Sequence, residues 1–201
     1  MALIKKKYKE MNVLELINEA KNDDYSALEE LIKREQKNVY AAFCFLGANS
    51  ENIADLTQEA LFRMSKNIKK LKNPKTFKAW LGQIISNLFY DELRKKQKSL
   101  KPISIDSFWL NDNNSEPAVF NICDNKSNPD EKTLDMELSG MIREMICKLP
   151  EHFKIVIILR ELQGLSYEDI AKITQTNVGT VKSRISRARS KLQEGLKPYL
   201  S

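Results

Sequence analysis

Histidine is almost absent from this chain of 201 residues: His152 stands alone, and cysteine occurs three times, at Cys44, Cys123 and Cys147. Zinc sites and disulfide frameworks need such residues in closely spaced sets, and these cysteines lie far apart with no paired spacing. Neither a metal nor a cofactor is therefore expected. Acid–base and nucleophilic catalysis rest on convergent titratable groups, and the absence of a paired constellation speaks against an enzyme. With 6 glycines in the chain, no phosphate-cradling glycine loop occurs either. Long apolar runs are missing too. Nothing approaches the roughly 20 apolar residues of a membrane-spanning helix. The stretch from Met1 to Glu10 carries lysines without the apolar run of a signal peptide. The expectation is a cytoplasmic protein with no membrane insertion.

What is present is the composition of a soluble helical protein, with 42% hydrophobic and 30% charged residues. The length suits two small domains, each of which would need most of its apolar residues for its own core. A formal charge of +6 and an isoelectric point near 9.1 permit an anionic partner without identifying one. Placement says more than the total. Between Ser104 and Glu137, eight acidic residues (Asp106, Asp112, Glu116, Asp124, Asp130, Glu131, Asp135 and Glu137) stand against two lysines, a net charge of −6. The flanking regions are more basic than the average.

From Val13 to Lys98 apolar residues recur three and four apart: Val13, Leu14 and Ile17, then Leu28, Leu31 and Ile32, then Val39 and Phe43. This period marks amphipathic helices. Two breaks are expected. One is the turn from Gly47 to Glu51, with Asn49 or Ser50 able to cap the next helix. The other is Lys72-Asn73-Pro74-Lys75, because proline disfavours helix in the residue before it. From about Leu100 to Asn128 the period is lost among Pro102, Pro117, Pro129 and the cluster Asn111 to Ser115, which reads as a linker. Periodicity returns at about Glu131 and runs through Leu138, Met141, Ile142, Met145 and Ile146 to Leu149, where Pro150 suits the first turn of a further helix. The fold class is all-α: two small helical domains joined by an acidic flexible linker, with boundaries at 10–98, 99–130 and 131–201.

The C-terminal part holds the most specific pattern. A helix carrying Val156, Ile157 and Leu159 runs toward Gly164, which suits a C-cap. Ser166 followed by Asp169 resembles a capping box with Asp in place of Glu, and Leu165 with Ile170 fits a hydrophobic staple. A short helix from Tyr167 to Ile173 ends at the turn Thr174-Gln175-Thr176. Asn177 then caps a longer helix with the apolar stripe Val178, Val181, Ile185, Ala188 and Leu192. That stripe leaves Thr180, Lys182, Ser183, Arg184, Ser186, Arg187 and Arg189 on the opposite face. Ala171 allows a close helix crossing, and the whole makes a helix-turn-helix. Its second helix suits the DNA major groove, with N-terminal residues toward base edges and cations toward phosphates. A solvated basic face on an ordinary helix pair is the plainer alternative.

These residues carry a family resemblance. Leu149-Pro150, the run Arg160 to Ala171, and Val178 to Arg184 with Arg187-Ala188-Arg189 resemble region 4 of extracytoplasmic-function sigma factors, a subfamily of the sigma-70 factors of RNA polymerase. Asp55 to Phe62 resembles the region 2.2 helix. Phe77 to Leu81 with Ile84, Asn87, Leu88, Asp91, Leu93 and Arg94 resembles regions 2.3 and 2.4. The resemblance covers about three quarters of the chain and implies region 2 at 10–98 and region 4 at 131–201.

What the resemblance implies is an initiation factor without catalysis of its own. Asp55, Leu56, Gln58, Glu59 and Phe62 would bind the clamp helices of core RNA polymerase, with region 4 near the flap. The seam of that helix would be Leu56 and Ala60 with Met64 or Phe62. Asn73, Lys75, Asn87, Asp91, Arg94 and Lys95 would contact the −10 element of promoter DNA. Thr180, Lys182, Ser183, Arg184, Arg187 and Arg189 would read the −35 duplex. The acidic linker would enter the basic channel of the polymerase, and a cognate anti-sigma factor is expected. Phe77, Trp80, Phe89 and Tyr90 have the chemistry to hold an unstacked base. Phe77 and Trp80 are expected in the core instead, and Tyr90 is left open. Two other readings remain open: a free-standing helix-turn-helix regulator, which would not need the Asp55 to Phe62 helix, and an interaction protein that binds sigma or polymerase without supporting transcription.

Overall fold

The structure, a computed structural model, describes residues 8–48, 50–98 and 134–200. The acidic linker and Asn49 lie outside the described residues. Every described element is helical: α1 (Val13–Lys21), α2 (Tyr25–Leu46), α3 (Ser50–Asn67), α4 (Phe77–Lys98), α5 (Leu134–Cys147), α6 (Glu151–Glu161), α7 (Tyr167–Thr174) and α8 (Val178–Leu200), with short 3-10 turns at Ile68–Lys70 and Pro74–Thr76. No described helix is long and apolar enough to cross a membrane.

The ends of the helices follow from local chemistry. Asn12 and Glu15 form a complete capping box at the start of α1, the Asn12 Oδ1 accepting from the Glu15 amide at 2.9 Å and the Glu15 Oε2 accepting from the Asn12 amide at 2.8 Å. The helical stretch breaks at Asn22–Asp24, which the periodicity did not announce. Asp23 takes a left-handed φ of 67° there, and the Asp24 carboxylate caps α2 by accepting from the amides of Ser26 and Ala27. The signal was the Asn-Asp-Asp run itself, since both residue types tolerate that conformation and cap helices. At the other end of α2, Gly47 adopts φ 75° and closes the helix with its amide. Asn73 caps the turn before α4 by accepting from the Lys75 amide, and Pro74 supplies its first position.

Helices α1 to α4 pack around Leu16, Ile17, Leu31, Phe43, Met64, Phe77 and Ile85, all essentially buried. One polar clasp closes this unit: Asn52 of α3 donates to Glu92 of α4 at 2.6 Å. Helices α5 to α8 form a second unit around Ile155, Ile158, Leu159, Ile170, Val181 and Ile185. The two units touch. Helices α5 and α6 lie against α2, and α7 lies against α4, so one apolar core runs through both. At the crossing of α4 and α7, Gly82 is so close to its neighbours that a Cβ there would sit 3.0 Å from Leu165 Cδ1 and 3.3 Å from Leu159 Cδ2. Gly in a helix interior costs about 0.5–1 kcal/mol relative to Ala. Its place in α4 is explained by this approach.

Candidate nucleic-acid interface

The turn ahead of the last helix is built as its residues imply. Helix α6 ends at Glu161, three residues before the glycine proposed as its cap. Gly164 instead takes φ 66° within the loop. The Arg160 guanidinium holds that loop by donating to the Leu165 carbonyl at 2.7 Å. Ser166 caps α7, its Oγ accepting from the Asp169 amide at 3.0 Å. The reciprocal half of the box differs from that at Asn12: the Ser166 hydroxyl donates to Asp169 Oδ2 at 2.7 Å. Asp is one methylene shorter than Glu, and its carboxylate meets the hydroxyl rather than the cap amide. Leu165 and Ile170, the two members of the proposed staple, are both buried.

After α7, Gln175 turns the chain through a left-handed φ of 53° and Asn177 accepts from the Thr180 amide at 2.7 Å to start α8. Val181, Ile185 and Ala188 are buried, with Val178 and Leu192 at the margins of the same stripe. Ala171 is buried in the unit where α7 and α8 meet.

The opposite face of α8 is not uniform. Lys182, Ser183 and Arg187 are exposed, and Thr180 is half-buried. Arg189 reaches back to α6, its Nη2 donating to Glu161 at 2.6 Å, which raises its already high pKa. Lys182 and Arg160 both lie over the Tyr167 ring, at 5.9 and 4.7 Å from its centroid. Arg184 is half-buried, and its Nε is enclosed with no hydrogen-bond partner. Burial pushes the phenol of Tyr90 on α4 up to about 12, an effect the Arg184 charge opposes.

In the N-terminal unit, Asp55, Gln58 and Phe62 stand on the outer side of α3, Phe62 at 58% exposed, while Leu56, Ala60 and Met64 are its buried seam. Phe62 is thus outside the seam and Met64 in it. Glu59 pairs with Arg63 at 2.6 Å and Lys66 lies over the Phe62 ring. A groove of about 690 Å³ separates α3 from α4, lined among others by Asp55, Leu56 and Glu59 on one side and Asp91, Arg94 and Lys95 on the other. Residues singled out for polymerase and for the −10 element therefore share one groove. Asp91 and Arg94 pair at 3.0 Å, and Gln83 donates to Asn87 at 2.8 Å. Asn73 and Lys75 are exposed ahead of the first turn of α4, whose start at Phe77 lies about 21 Å along the helix from Asp91 at 1.5 Å per residue. Phe77 and Phe89 are core residues, and Trp80 is half-buried beside Phe77, with ring centroids 6.1 Å apart.

Sequence reading missed one buried cation. Lys154 of α6 is buried and pairs with Glu151 at 3.0 Å, and its Nζ would lie 3.7 Å from a Cβ at Gly47 of the other unit. No period or motif marked it. Among the described residues no group of three or more His, Cys, Asp and Glu side chains is placed to hold a metal ion.

Two helical units, one ending in a capped helix-turn-helix and the other offering a mixed acidic and basic groove, define a DNA-binding transcription protein. Residues 31–99 match the family model described as Sigma-70 region 2, and residues 139–192 match Sigma-70, region 4. The chain is 31% identical over 185 residues to the ECF RNA polymerase sigma-E factor of Escherichia coli (strain K12), covering 92% of this chain and 94% of that one. It is 30% identical over 173 residues to the ECF RNA polymerase sigma factor SigE of Mycolicibacterium smegmatis, which aligns 86% of this chain with 63% of that longer relative. A solved structure of the sigma factor RpoE from Bartonella quintana, in complex with the anti-sigma factor NepR, superposes with a TM-score of 0.63 and 27% identity, covering 84% of this chain and 96% of that one. The chain belongs to the extracytoplasmic-function sigma factors of the sigma-70 family, which are transcription initiation factors and not enzymes.

Proposed function

We propose that this chain directs core RNA polymerase to promoters by dividing the work between its two units. The outer face of α3, with Asp55, Gln58, Glu59 and Phe62, docks on the polymerase clamp. Leu56 supports that face from the core. Asn87, Asp91, Arg94 and Lys95 on α4, with Asn73 and Lys75 before it, engage the −10 element as it opens. Thr180, Lys182, Ser183, Arg184, Arg187 and Arg189 on α8 read the −35 duplex, with the C-terminal unit seated near the flap. Region 2 occupies 10–98, the linker 99–130 and region 4 131–201. The site of action is the cytoplasm, and a cognate anti-sigma factor regulates the chain, as NepR binds the similar RpoE.

One observation carries this reading: a capped helix-turn-helix with cations on its outer face shares a chain with a helix that exposes Phe62 beside carboxylates. A DNA-binding regulator acting alone has no need of the second surface. Capturing unstacked bases offsets an unstacking cost of a few kcal/mol, so strand opening requires no nucleotide hydrolysis by the chain. The test is transcription by purified core polymerase on a genomic fragment library, with and without the protein, mapping RNA 5′ ends. New starts that share two upstream elements at fixed spacing support the proposal. Unchanged starts together with specific duplex binding by the protein alone would favour the free-standing regulator.

A further inference from the structure

The corner between α1 and α2 is tightly fixed and lies against the loop that carries Asn73 and Lys75. The amides of Asn22 and Asp24 both donate to the Glu19 carbonyl, at 2.9 and 3.1 Å. The Asp24 carboxylate accepts from the Ser26 and Ala27 amides and from the Tyr8 hydroxyl, the last at 2.6 Å. Helix α1 packs against both 3-10 turns that flank the loop. Two side chains reach across from this corner. Lys21 Nζ donates to the Leu71 carbonyl at 2.7 Å, and Asp23 pairs with Lys69 at 2.5 Å. Ile68 and Leu71 are buried, at 1% and 5% exposed, whereas Lys72, Asn73 and Lys75 stand in solvent.

We infer that Lys21 and Asp23 are positioning residues for the −10 element, holding the loop Leu71–Lys75 in the conformation that presents Asn73 and Lys75 to an opened strand. This rests on the sigma-factor reading above. A charged donor on a carbonyl makes a hydrogen bond roughly twice as strong as a neutral one, and Lys21 places it where the chain passes from one turn to the next. Around the loop Lys66, Lys69, Lys70, Lys72, Lys75 and Lys78 are all exposed. Repulsion among like charges favours spreading such a loop, and Asp23 opposes it at Lys69. A loop already held in its binding conformation has no ordering cost to meet when the strand arrives. A lysine in the last turn of α1 is favourable for the helix dipole alone, but that role requires no contact with Leu71.

Three variants of the full chain test the brace. Lys21→Met keeps an aliphatic stem and removes the donor, Lys21→Arg restores a donor, and Asp23→Asn removes the ion pair while tolerating the left-handed backbone. The assay is transcription by core polymerase from a promoter library randomised at the −10 element. The ratio of starts from preferred to singly mismatched promoters should fall about fivefold in Lys21→Met, the discrimination that one base contact supplies at its weaker end. It should fall about twofold in Asp23→Asn, whose pair is exposed, and return to the wild-type value in Lys21→Arg. Competition for core polymerase should keep its wild-type strength in all three. An unchanged ratio in Lys21→Met would overturn the inference, and so would a loss of competition as large as the loss of selectivity, which would make Lys21 a residue of general stability. Hydrogen exchange gives a readout independent of transcription. The amides of Leu71, Lys75 and Thr76, whose bonds shape the loop, should exchange faster in Lys21→Met, with those of Asn22 and Asp24 unchanged. Equal exchange at the loop would overturn the brace. Absence of promoter-directed starts from wild type itself would remove the sigma-factor reading and the −10 role with it, while the exchange rates would still decide whether Lys21 holds the loop.

Discussion

Helices α3 and α8 carry the two proposed working surfaces, and they are prepared differently. The outer face of α3 stands in solvent, with Phe62 and Asp55 exposed and Glu59 in a partly exposed pair with Arg63. The outer face of α8 is engaged by its own chain: Arg189 pairs with Glu161, Lys182 lies over Tyr167, and Arg184 is half-buried with its Nε enclosed. Arg187 alone among its arginines is exposed with no ion pair to a described residue. A surface whose partner is met first can stand ready, whereas one that should act only after assembly is better covered. The asymmetry fits an order of events in which polymerase is bound before promoter DNA.

Emptying the core behind one surface should have the largest effect. Ile185 is 1% exposed on the inner stripe of α8, and Ile185→Ala should destabilise the C-terminal unit by about 2–5 kcal/mol in chemical denaturation. Promoter reading should fall with it while polymerase binding through α3 survives. Retained −35 reading in a variant so destabilised would detach α8 from that role. Charge reversal sharpens the other side. Asp55→Lys with Glu59→Lys should leave the helical circular dichroism intact and cost at least tenfold in competition for core polymerase, and normal competition would remove α3 from the interface.

Smaller effects separate the residues of α8 from one another. Arg187→Ala should weaken promoter binding by about 1–3 kcal/mol if it meets a base, or lower the slope of log affinity against log salt by about 1 if it meets a phosphate. A change in neither quantity would leave Arg187 a solvated cation. The caps give the least effect. Ser166→Ala should cost about 1 kcal/mol of stability. Asn12→Ala should cost about the same, because each substitution removes the side-chain oxygen that accepts from one backbone amide. Equal stability of the Ser166 variant and wild type in urea would show that the helix-turn-helix does not depend on its cap.

Much of this architecture was legible before the structure. The helix-turn-helix reads directly because short-range rules agree at every step: Ser166 and Asn177 as caps, Leu165 and Ile170 as paired apolar residues, and the stripe from Val178 to Leu192. The seam of α3 follows from the same periodicity once Met64 is chosen over Phe62. The break at Asn22–Asp24 was harder because it contains neither glycine nor proline, and its left-handed residue is an aspartate. What no local pattern holds is the meeting of the two units. Gly82 looks like a weak point in a helix, Lys154 like a surface cation and Arg184 like a free DNA contact. Each acquires its meaning from a residue more than eighty positions away. Long-range placement also explains why Asp55 and Asp91, assigned to different partners, line one groove.

The central claim is that promoter reading belongs to the assembly and not to the chain alone. Fluorescence anisotropy of a labelled promoter fragment, titrated with the protein at about 150 mM salt with and without core polymerase, addresses it directly. The account predicts tight, sequence-specific binding only when polymerase is present, with the protein alone at least a hundredfold weaker. Specific binding of equal strength by the protein alone would contradict it.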